Sequence, residues 1–199
     1  LERVLCNESG GVQDQIAASF GGMNRINFNA EGYTVNPVII SPERKKLLNR
    51  NLMLFFTGFS RFSSDIQVAA EKNLKSKQNQ LLEMLSLVDD AEKILTSKTD
   101  LEEFGRLLDY TWQLKRGITD KVSTDSIDAV YSRALQAGAT GGKLLGAGGG
   151  GFLLFYVDPD KQENVRKALE NLLYVPFEFE NGGTRVIHYT PESYEPVNA

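Results

Sequence analysis

The sequence predicts an α+β fold in which an antiparallel sheet is covered mainly on one side by helices. Three observations lead to this class: short apolar or alternating runs typical of strands lie towards both ends, helical periodicity fills the middle, and a glycine-rich segment leads into a second apolar run. Strands separated by a long helical stretch favour a sheet that packs its helices on one face. With 199 residues, the chain can bury a substantial core.

The N-terminal part is predicted to form a helix and then two strands. Residues 15–20 suit a helix that stops at a pair of glycines. In the following "NRINF", Ile26 and Phe28 alternate with polar neighbours, as expected of a half-buried strand. A second strand is predicted over 33–40, after the "AEG" turn.

A domain boundary is expected next. Ser41 is a candidate N-cap for a short helical segment over 43–49. The continuous apolar run "NLMLFFTG", residues 51–58, suits a strand buried on both faces. The chain therefore divides into a short N-terminal piece, 1–42, and a larger domain, 43–199.

Apolar residues recur at helical spacing in three stretches between residues 65 and 137. Thr124 or Asp125 is a candidate N-cap for the third helix. The predicted buried stripes are Leu74, Leu81, Leu85 and Val88 in the first helix, Leu101, Phe104, Leu108 and Trp112 in the second, and Ile127, Val130 and Ala134 in the third.

The C-terminal part returns to strands. A strand over 151–157 precedes a helix that opens at "DP". Phe177 and Phe179 then alternate with glutamates before an "NGG" turn and the returning run "TRVIHYT". This pattern predicts a β-hairpin over 175–190.

Composition and charge exclude several classes of function. The net charge of −4 argues against a nucleic-acid partner, which usually requires a basic surface. Cys6 is the single cysteine and His188 the single histidine, so the sequence predicts neither an intrachain disulfide nor a zinc site. No apolar run approaches the roughly 20 residues that span a bilayer. We expect a cytoplasmic protein with no membrane partner.

The segment "GGKLLGAGGGGFLLFYV", residues 141–157, is the first candidate functional feature. Glycines permit positive φ and close approach of other backbone, and successive N–H groups in such a turn can bind a phosphate. The alternative is a close-packed turn without a ligand. No "GKS" or "GKT" follows the glycines, and no strand leads through "GxGxxG" into a helix, so neither a Walker loop nor a dinucleotide fingerprint is predicted.

The second candidate is Asp14 within "GGVQDQ", residues 10–15. An aspartate at a helix start stays ionised, because the helix dipole and free N–H groups favour the charged form. Such a carboxylate can accept or orient the proton of a substrate hydroxyl in phosphoryl transfer. The alternative is an ordinary capping role.

Together, these two segments resemble the GHMP kinase superfamily, which is named for galactokinase, homoserine kinase, mevalonate kinase and phosphomevalonate kinase. "KLLGAGGGGFLLF" is similar to the third motif of that family, and "GGVQDQ" to the segment in which its sugar kinases place a catalytic aspartate. Together with "FFTGFSR", these segments are most similar to the branch that contains D-glycero-D-manno-heptose 7-phosphate kinases and, as relatives, fucokinases.

The resemblance implies a ferredoxin-like GHMP kinase C-terminal domain over 43–199, preceded by a remnant of the N-terminal domain. It implies an ATP- and Mg²⁺-dependent kinase that phosphorylates the anomeric hydroxyl of a sugar phosphate, with D-glycero-D-manno-heptose 7-phosphate as the expected acceptor. Asp14 would be the catalytic residue. The substrate-binding residues would be Gly11, Gln13, Thr57, Gly58, Ser60 and Arg61, and the glycine loop would comprise Gly146, Ala147, Gly148, Gly149 and Gly150.

Other interpretations remain open. The family's phosphate-binding motif, "PxxxGLGSSAA", does not occur here, so we expect the main ATP contacts and the Mg²⁺ ligands upstream, in a longer protein. A galactokinase-like or fucokinase-like specificity is one alternative, and a non-catalytic GHMP-fold binding module is another. Lys115 and Arg116 either bind a substrate phosphate or complement a helix dipole, and the second role is favoured.

Overall fold

A computed structural model describes residues 11–58 and 73–188. Contacts divide the chain into two compact units. The larger unit contains Gly11 and the described residues of Val38–Glu178, and the smaller contains Val12–Pro37 with the described residues of Phe179–Ala199. The division of the sequence at residue 42 stays a prediction.

The smaller unit begins with a helix and a hairpin, as predicted. Helix α1 spans Gln13–Phe20, and strands β1 (Asn24–Asn29) and β2 (Gly32–Pro37) pair antiparallel, with Ile26 opposite Val35. The glycine pair that follows α1 adopts positive φ, which ends the helix. Strand β2 ends three residues before the predicted limit of 40.

The predicted hairpin over 175–190 is wrong. In the described part of that segment, no strand forms. Its backbone instead bonds to the last turn of α1 and to the glycine pair that follows it. Thr184 N donates to Ser19 O at 3.0 Å, and Glu180 O accepts from Gly22 N at 3.1 Å. Because these groups are used on α1, the alternation of phenylalanine and glutamate does not produce a ladder of its own.

The larger unit contains a four-stranded antiparallel sheet and five helices among the described residues. In the order β4-β5-β3-β6, every neighbouring pair is antiparallel. The elements are α2 (Pro42–Asn51), β3 (Leu52–Phe56), α3 (Gln78–Thr96), α4 (Glu102–Arg116), α5 (Asp125–Gln136), β4 (Gly141–Leu144), β5 (Phe152–Tyr156), α6 (Gln162–Ala168) and β6 (Leu173–Tyr174).

Two helix starts are set by hydroxyl caps that the sequence predicts. Ser41 Oγ accepts from Arg44 N at 3.2 Å, and Pro42 occupies the first turn, where its missing N–H has no helical partner to lose. Thr124 Oγ1 accepts from Ile127 N at 3.3 Å. Each cap satisfies an N–H group that the helix leaves without a carbonyl.

The core lies between one face of the sheet and helices α4, α5 and α6. Because side chains alternate along a strand, one face carries the fully buried residues of β3, β5 and β4, and these pack against the helices. The α+β prediction is therefore confirmed. The largest fully buried side chains of this core include Met53, Phe55, Trp112, Ile127, Leu144, Leu153, Phe155, Val165 and Leu169.

The predicted buried stripe of the first long helix is wrong. Leu74, Leu85 and Val88 are exposed, Leu81 is half-buried, and Leu95 is the buried residue of α3. Helix α3 packs against α4 rather than directly on the sheet. The periodicity therefore predicted the helix correctly but not the face that it buries.

Candidate functional site: the glycine-rich hairpin

The glycine-rich segment is a β-hairpin rather than one loop over 141–150. Strand β4 pairs antiparallel with β5, with Lys143 opposite Leu154. The connection 145–151 is closed by Leu145 N, which donates to Phe152 O at 2.8 Å. Strand β4 was missed because two of its four residues are glycines, which are depleted in strands.

The two glycines of β4 are required by packing. A Cβ on Gly141 would overlap the carbonyl oxygen of Gly105 in α4. A Cβ on Gly142 would lie 2.5 Å from Cδ1 of Phe155. Their missing side chains let the helix backbone and an aromatic ring contact the strand directly.

The glycines of the connection are required by backbone conformation. Gly146, Gly148, Gly149 and Gly151 have φ values of 72°, 121°, 71° and 99°. Residues with a Cβ rarely adopt these angles. At Gly148 a Cβ would also lie 2.7 Å from Val122 O, so this position is restricted by both angle and space.

The last turn of α4 and the connection from α4 to α5 hold one side of the glycine loop. Lys115 Nζ donates to Gly146 O, and Gly149 N donates to Val122 O at 2.9 Å. Ala147 packs against the hydrophobic core. Lys115 therefore does more than complement the dipole of α4, which was its favoured role.

Thr57 holds the other end of the loop. Its backbone N and its Oγ1 both donate to Gly151 O, at 2.8 and 2.9 Å, and the residue is buried. The structure thus brings one predicted substrate-binding residue directly to the glycine loop. Gly58 is exposed with a φ of 75°, and Ser60 and Arg61 lie outside the described residues.

Several N–H groups of the loop are free to bind an anion. Within the described ranges, the backbone N–H groups of Ala147, Gly148 and Gly150 have no hydrogen-bond acceptor. Successive N–H groups in a turn of positive-φ residues can form an anion-binding concavity. The loop therefore has the chemistry to contact a phosphate oxygen.

Asp14 lies in the first turn of α1, within the smaller unit, and is exposed. The N-cap of this helix is Val12, so Asp14 does not occupy the cap position. Gly11 and Gln13 are also exposed. The first turn presents N–H groups without helical acceptors, which favour a negative charge at this position. Its catalytic role stays a prediction.

Arg116 is used within the fold. Its guanidinium contacts Asp128 Oδ2 at 2.6 Å, and Ser123 Oγ donates to the other oxygen of that carboxylate at 2.5 Å. This network links the end of α4 to the first turn of α5. This ion pair gives Arg116 a structural role besides its favoured one, which was to complement the dipole of α4.

Lys143 is a positively charged residue within strand β4 of the hairpin. It lies on the sheet face shared with Leu154, opposite the helix-covered face, and its side chain is only partly exposed. Burial lowers the pKa of Lys143 because desolvation disfavours the ammonium form. This charge therefore costs stability in the folded state.

Replacing Lys143 with methionine is expected to raise the free energy of unfolding at neutral pH. Between the lowered pKa of the folded protein and the ordinary value of 10.5, the unfolded chain binds more protons, so the stability of the parent rises with pH. The advantage of Lys143→Met should then shrink as pH approaches 10.5. Urea unfolding from pH 7 to 10.5 measures this, with the exposed Lys167→Met as control. If Lys143→Met is no more stable than the parent, or if its advantage does not change with pH, burial of the Lys143 ammonium group does not cost stability.

Other features of the described residues lie away from the hairpin. A surface cleft of about 470 Å³ between α3 and α4, lined in part by Lys93, Arg106 and Tyr110, contains none of the predicted site residues. In the described ranges, no three His, Cys, Asp or Glu side chains are placed to hold a metal ion. None of the described helices is long and apolar enough to cross a membrane.

The part of the chain that contains the hairpin matches a known family. Residues 87–175, which run from α3 to just beyond β6 and include the whole glycine loop, match the family described as "GHMP kinases C terminal". This match covers 89 of the 199 residues and assigns that part of the chain to the GHMP kinase C-terminal family.

Over a longer stretch, the chain is similar to a D-glycero-alpha-D-manno-heptose 7-phosphate kinase of Campylobacter jejuni. The two sequences are 36% identical over 172 residues, which cover 85% of this chain and 50% of the relative. A D-glycero-D-manno-heptose 1-phosphate kinase structure from Bacteroides thetaiotaomicron is 29% identical, covering 92% of this chain and 50% of that one, with a TM-score of 0.58. Lactococcus lactis galactokinase with galactose shares the fold at 19% identity and a TM-score of 0.66, over 93% of this chain and 58% of that one. The chain spans about half the length of these relatives.

Proposed function

We propose that the protein is an ATP-dependent sugar kinase that phosphorylates the anomeric hydroxyl of a sugar phosphate, with D-glycero-D-manno-heptose 7-phosphate as its acceptor. The observation that carries this proposal is the 36% identity to a heptose 7-phosphate kinase across 85% of the chain. The glycine loop supports it as well, because several of its backbone N–H groups have no acceptor among the described residues.

The roles of the residues follow from what phosphoryl transfer requires. Catalysis consists mainly of positioning the γ-phosphate and stabilising its charge, because the protein does little covalent chemistry. Gly146–Gly150 support the phosphate groups and the acceptor, and Thr57 holds this loop through Gly151. Asp14 accepts or orients the proton of the anomeric hydroxyl. Gly11, Gln13, Gly58, Ser60 and Arg61 contact the acceptor, and Arg61 suits its phosphate because a guanidinium binds phosphate bidentately.

The nucleotide enters as its Mg²⁺ complex. Mg²⁺ neutralises charge on the phosphate oxygens, but the described residues contain no cluster of carboxylates for it. We assign no Mg²⁺ ligand among the described residues, and propose that the main phosphate-binding loop lies in another part of the protein.

Two other functions have support of their own. A galactokinase-like or fucokinase-like specificity fits the same fold, since an Arabidopsis thaliana bifunctional fucokinase/GDP-fucose pyrophosphorylase is 25% identical over 174 residues. A non-catalytic binding module is the second alternative. It is favoured by the absence of a "PxxxGLGSSAA" motif from these 199 residues.

An acceptor panel tests these functions against each other. The protein, expressed from its complete reading frame, is incubated with Mg-ATP and heptose 7-phosphate, galactose, fucose or no acceptor, and ADP release is followed. We expect heptose 7-phosphate to give the highest kcat/KM, because its phosphate adds charge-assisted contacts. Highest activity with fucose or galactose would contradict the acceptor assignment. ADP release that no acceptor increases would support the binding module.

A further inference from the structure

The open edge of β4 is closed by a side chain rather than by a strand. Strand β4 is the last in the sheet order, so among the described residues it has no strand neighbour on one side. At this edge Tyr131 Oη lies 3.1 Å from Gly142 N and 3.0 Å from Gly142 O. One hydroxyl thus lies within hydrogen-bond distance of both polar groups of Gly142. Gly142 lies four residues before Gly146, the first residue of the glycine loop.

Asp109 of α4 fixes the direction of that hydroxyl. Tyr131 Oη donates to Asp109 Oδ1 at 2.6 Å, a distance typical of a charge-assisted bond. With its proton on Asp109, the hydroxyl oxygen is free to accept from Gly142 N. Burial raises the pKa of Tyr131 most, and the hydrogen bond to Asp109 raises it further, so the hydroxyl stays protonated.

The surroundings make this contact rigid. Tyr131 is 2% exposed and packs between the rings of Trp112 and Phe155, with centroid distances of 6.1 and 5.5 Å. Gly141 packs against Gly105 and against Cβ of Asp109. The strand that leads into the glycine loop is therefore fixed by α4 and α5 together.

We propose that Tyr131 and Asp109 are positioning residues for phosphoryl transfer. They hold β4, and through it the glycine loop, in the position that the reaction requires. This inference rests on the proposed kinase function. Neither residue is assigned a contact with substrate. Their effect is expected in turnover more than in substrate binding, because displacing a loop by about 1 Å can cost about 10²-fold in rate.

Tyr131→Phe is the first test, since it removes only the hydroxyl. We expect kcat with heptose 7-phosphate to fall about 10- to 100-fold, with KM for the sugar within about threefold of the parent. Tyr156→Phe is the matched control, because it removes another buried hydroxyl, which accepts from Asn51 Nδ2 at 2.6 Å. Tyr110→Phe removes a tyrosine–carboxylate bond to Glu83, away from β4. Both controls should keep kcat within about threefold of the parent.

Asp109 is tested by a conservative rescue. Asp109→Asn keeps an oxygen that can accept from Tyr131, whereas Asp109→Ala removes it. We expect kcat for the asparagine variant to stay near the parent and the alanine variant to match Tyr131→Phe. Equal losses in the two Asp109 variants would overturn the hydrogen-bonding role of this carboxylate.

Amide hydrogen exchange separates this inference from the proposed function. In Tyr131→Phe, the amides of Gly142 and of residues 145–151 should exchange faster than in the parent, while those of α6 should not change. If the parent phosphorylates no acceptor, the proposed function fails, and exchange alone then tests the positioning role. Unchanged exchange in the loop overturns the inference. So does a kcat loss in Tyr131→Phe that Tyr156→Phe reproduces at equal stability.

Discussion

Asp14→Asn is expected to lower the rate of phosphoryl transfer by about 10² to 10⁴ while leaving acceptor binding nearly unchanged. Asparagine keeps the shape of the side chain and its hydrogen-bonding capacity, but it cannot accept a proton from the anomeric hydroxyl. Asp14 is exposed in the first turn of α1, and Val12 rather than Asp14 is the N-cap. The loss of a cap is therefore not expected to contribute.

The rate is best measured by single-turnover transfer at saturating heptose 7-phosphate and Mg-ATP, which isolates chemistry from product release. Asp125→Asn is the matched control, because Asp125 is an exposed aspartate in the first turn of α5 and has no proposed role. A rate for Asp14→Asn within about threefold of the parent, on a folded protein, would remove Asp14 from the mechanism.

Gly148→Ala is expected to lower both turnover and stability. Alanine at a φ of 121° is strained, which costs about 1 to 3 kcal/mol, and its Cβ would overlap Val122 O. To relieve the overlap, the loop must move away from the α4–α5 connection, so the N–H groups proposed to contact phosphate shift. We expect kcat to fall about 100-fold.

Gly146→Ala is the matched control for Gly148→Ala. Gly146 has a φ of 72°, which strains alanine, but its Cβ would point into open space. Left-handed backbone costs a non-glycine residue about 1 to 2 kcal/mol, so urea unfolding should show a smaller loss than in Gly148→Ala. Equal effects of the two variants on unfolding and kcat would show that contact with Val122 does not set the loop position.

Patterns of local periodicity predicted the elements better than their partners. The apolar run before Thr57 and the hydroxyl caps Ser41 and Thr124 were predicted because each depends on a few adjacent residues. The buried face of α3 and the hairpin over 175–190 were predicted wrongly. In both cases the outcome depends on a distant element: α4 for the first, and the end of α1 for the second.

The candidate site shows the same division. The glycine loop was predicted because positive φ and close packing require glycine, a requirement that is visible in the sequence. Its anchors on Lys115, Val122 and Thr57 are long-range contacts that no local pattern indicates. Tyr131 had one usable signal: it lies four residues after Ile127 on the buried face of α5, and a buried tyrosine hydroxyl needs a partner. The sequence does not indicate that Gly142 and Asp109 are those partners.

The identity of the product is the most direct test of the proposed reaction, phosphorylation of the anomeric hydroxyl of a sugar phosphate. The protein, expressed from its complete reading frame, is incubated with Mg-ATP and D-glycero-D-manno-heptose 7-phosphate, and the purified product is analysed by phosphorus and proton NMR. We expect a bisphosphate whose new phosphate is attached to the anomeric oxygen while the 7-phosphate is retained. A product phosphorylated at any other hydroxyl, or ATP consumption that yields only inorganic phosphate, would contradict it.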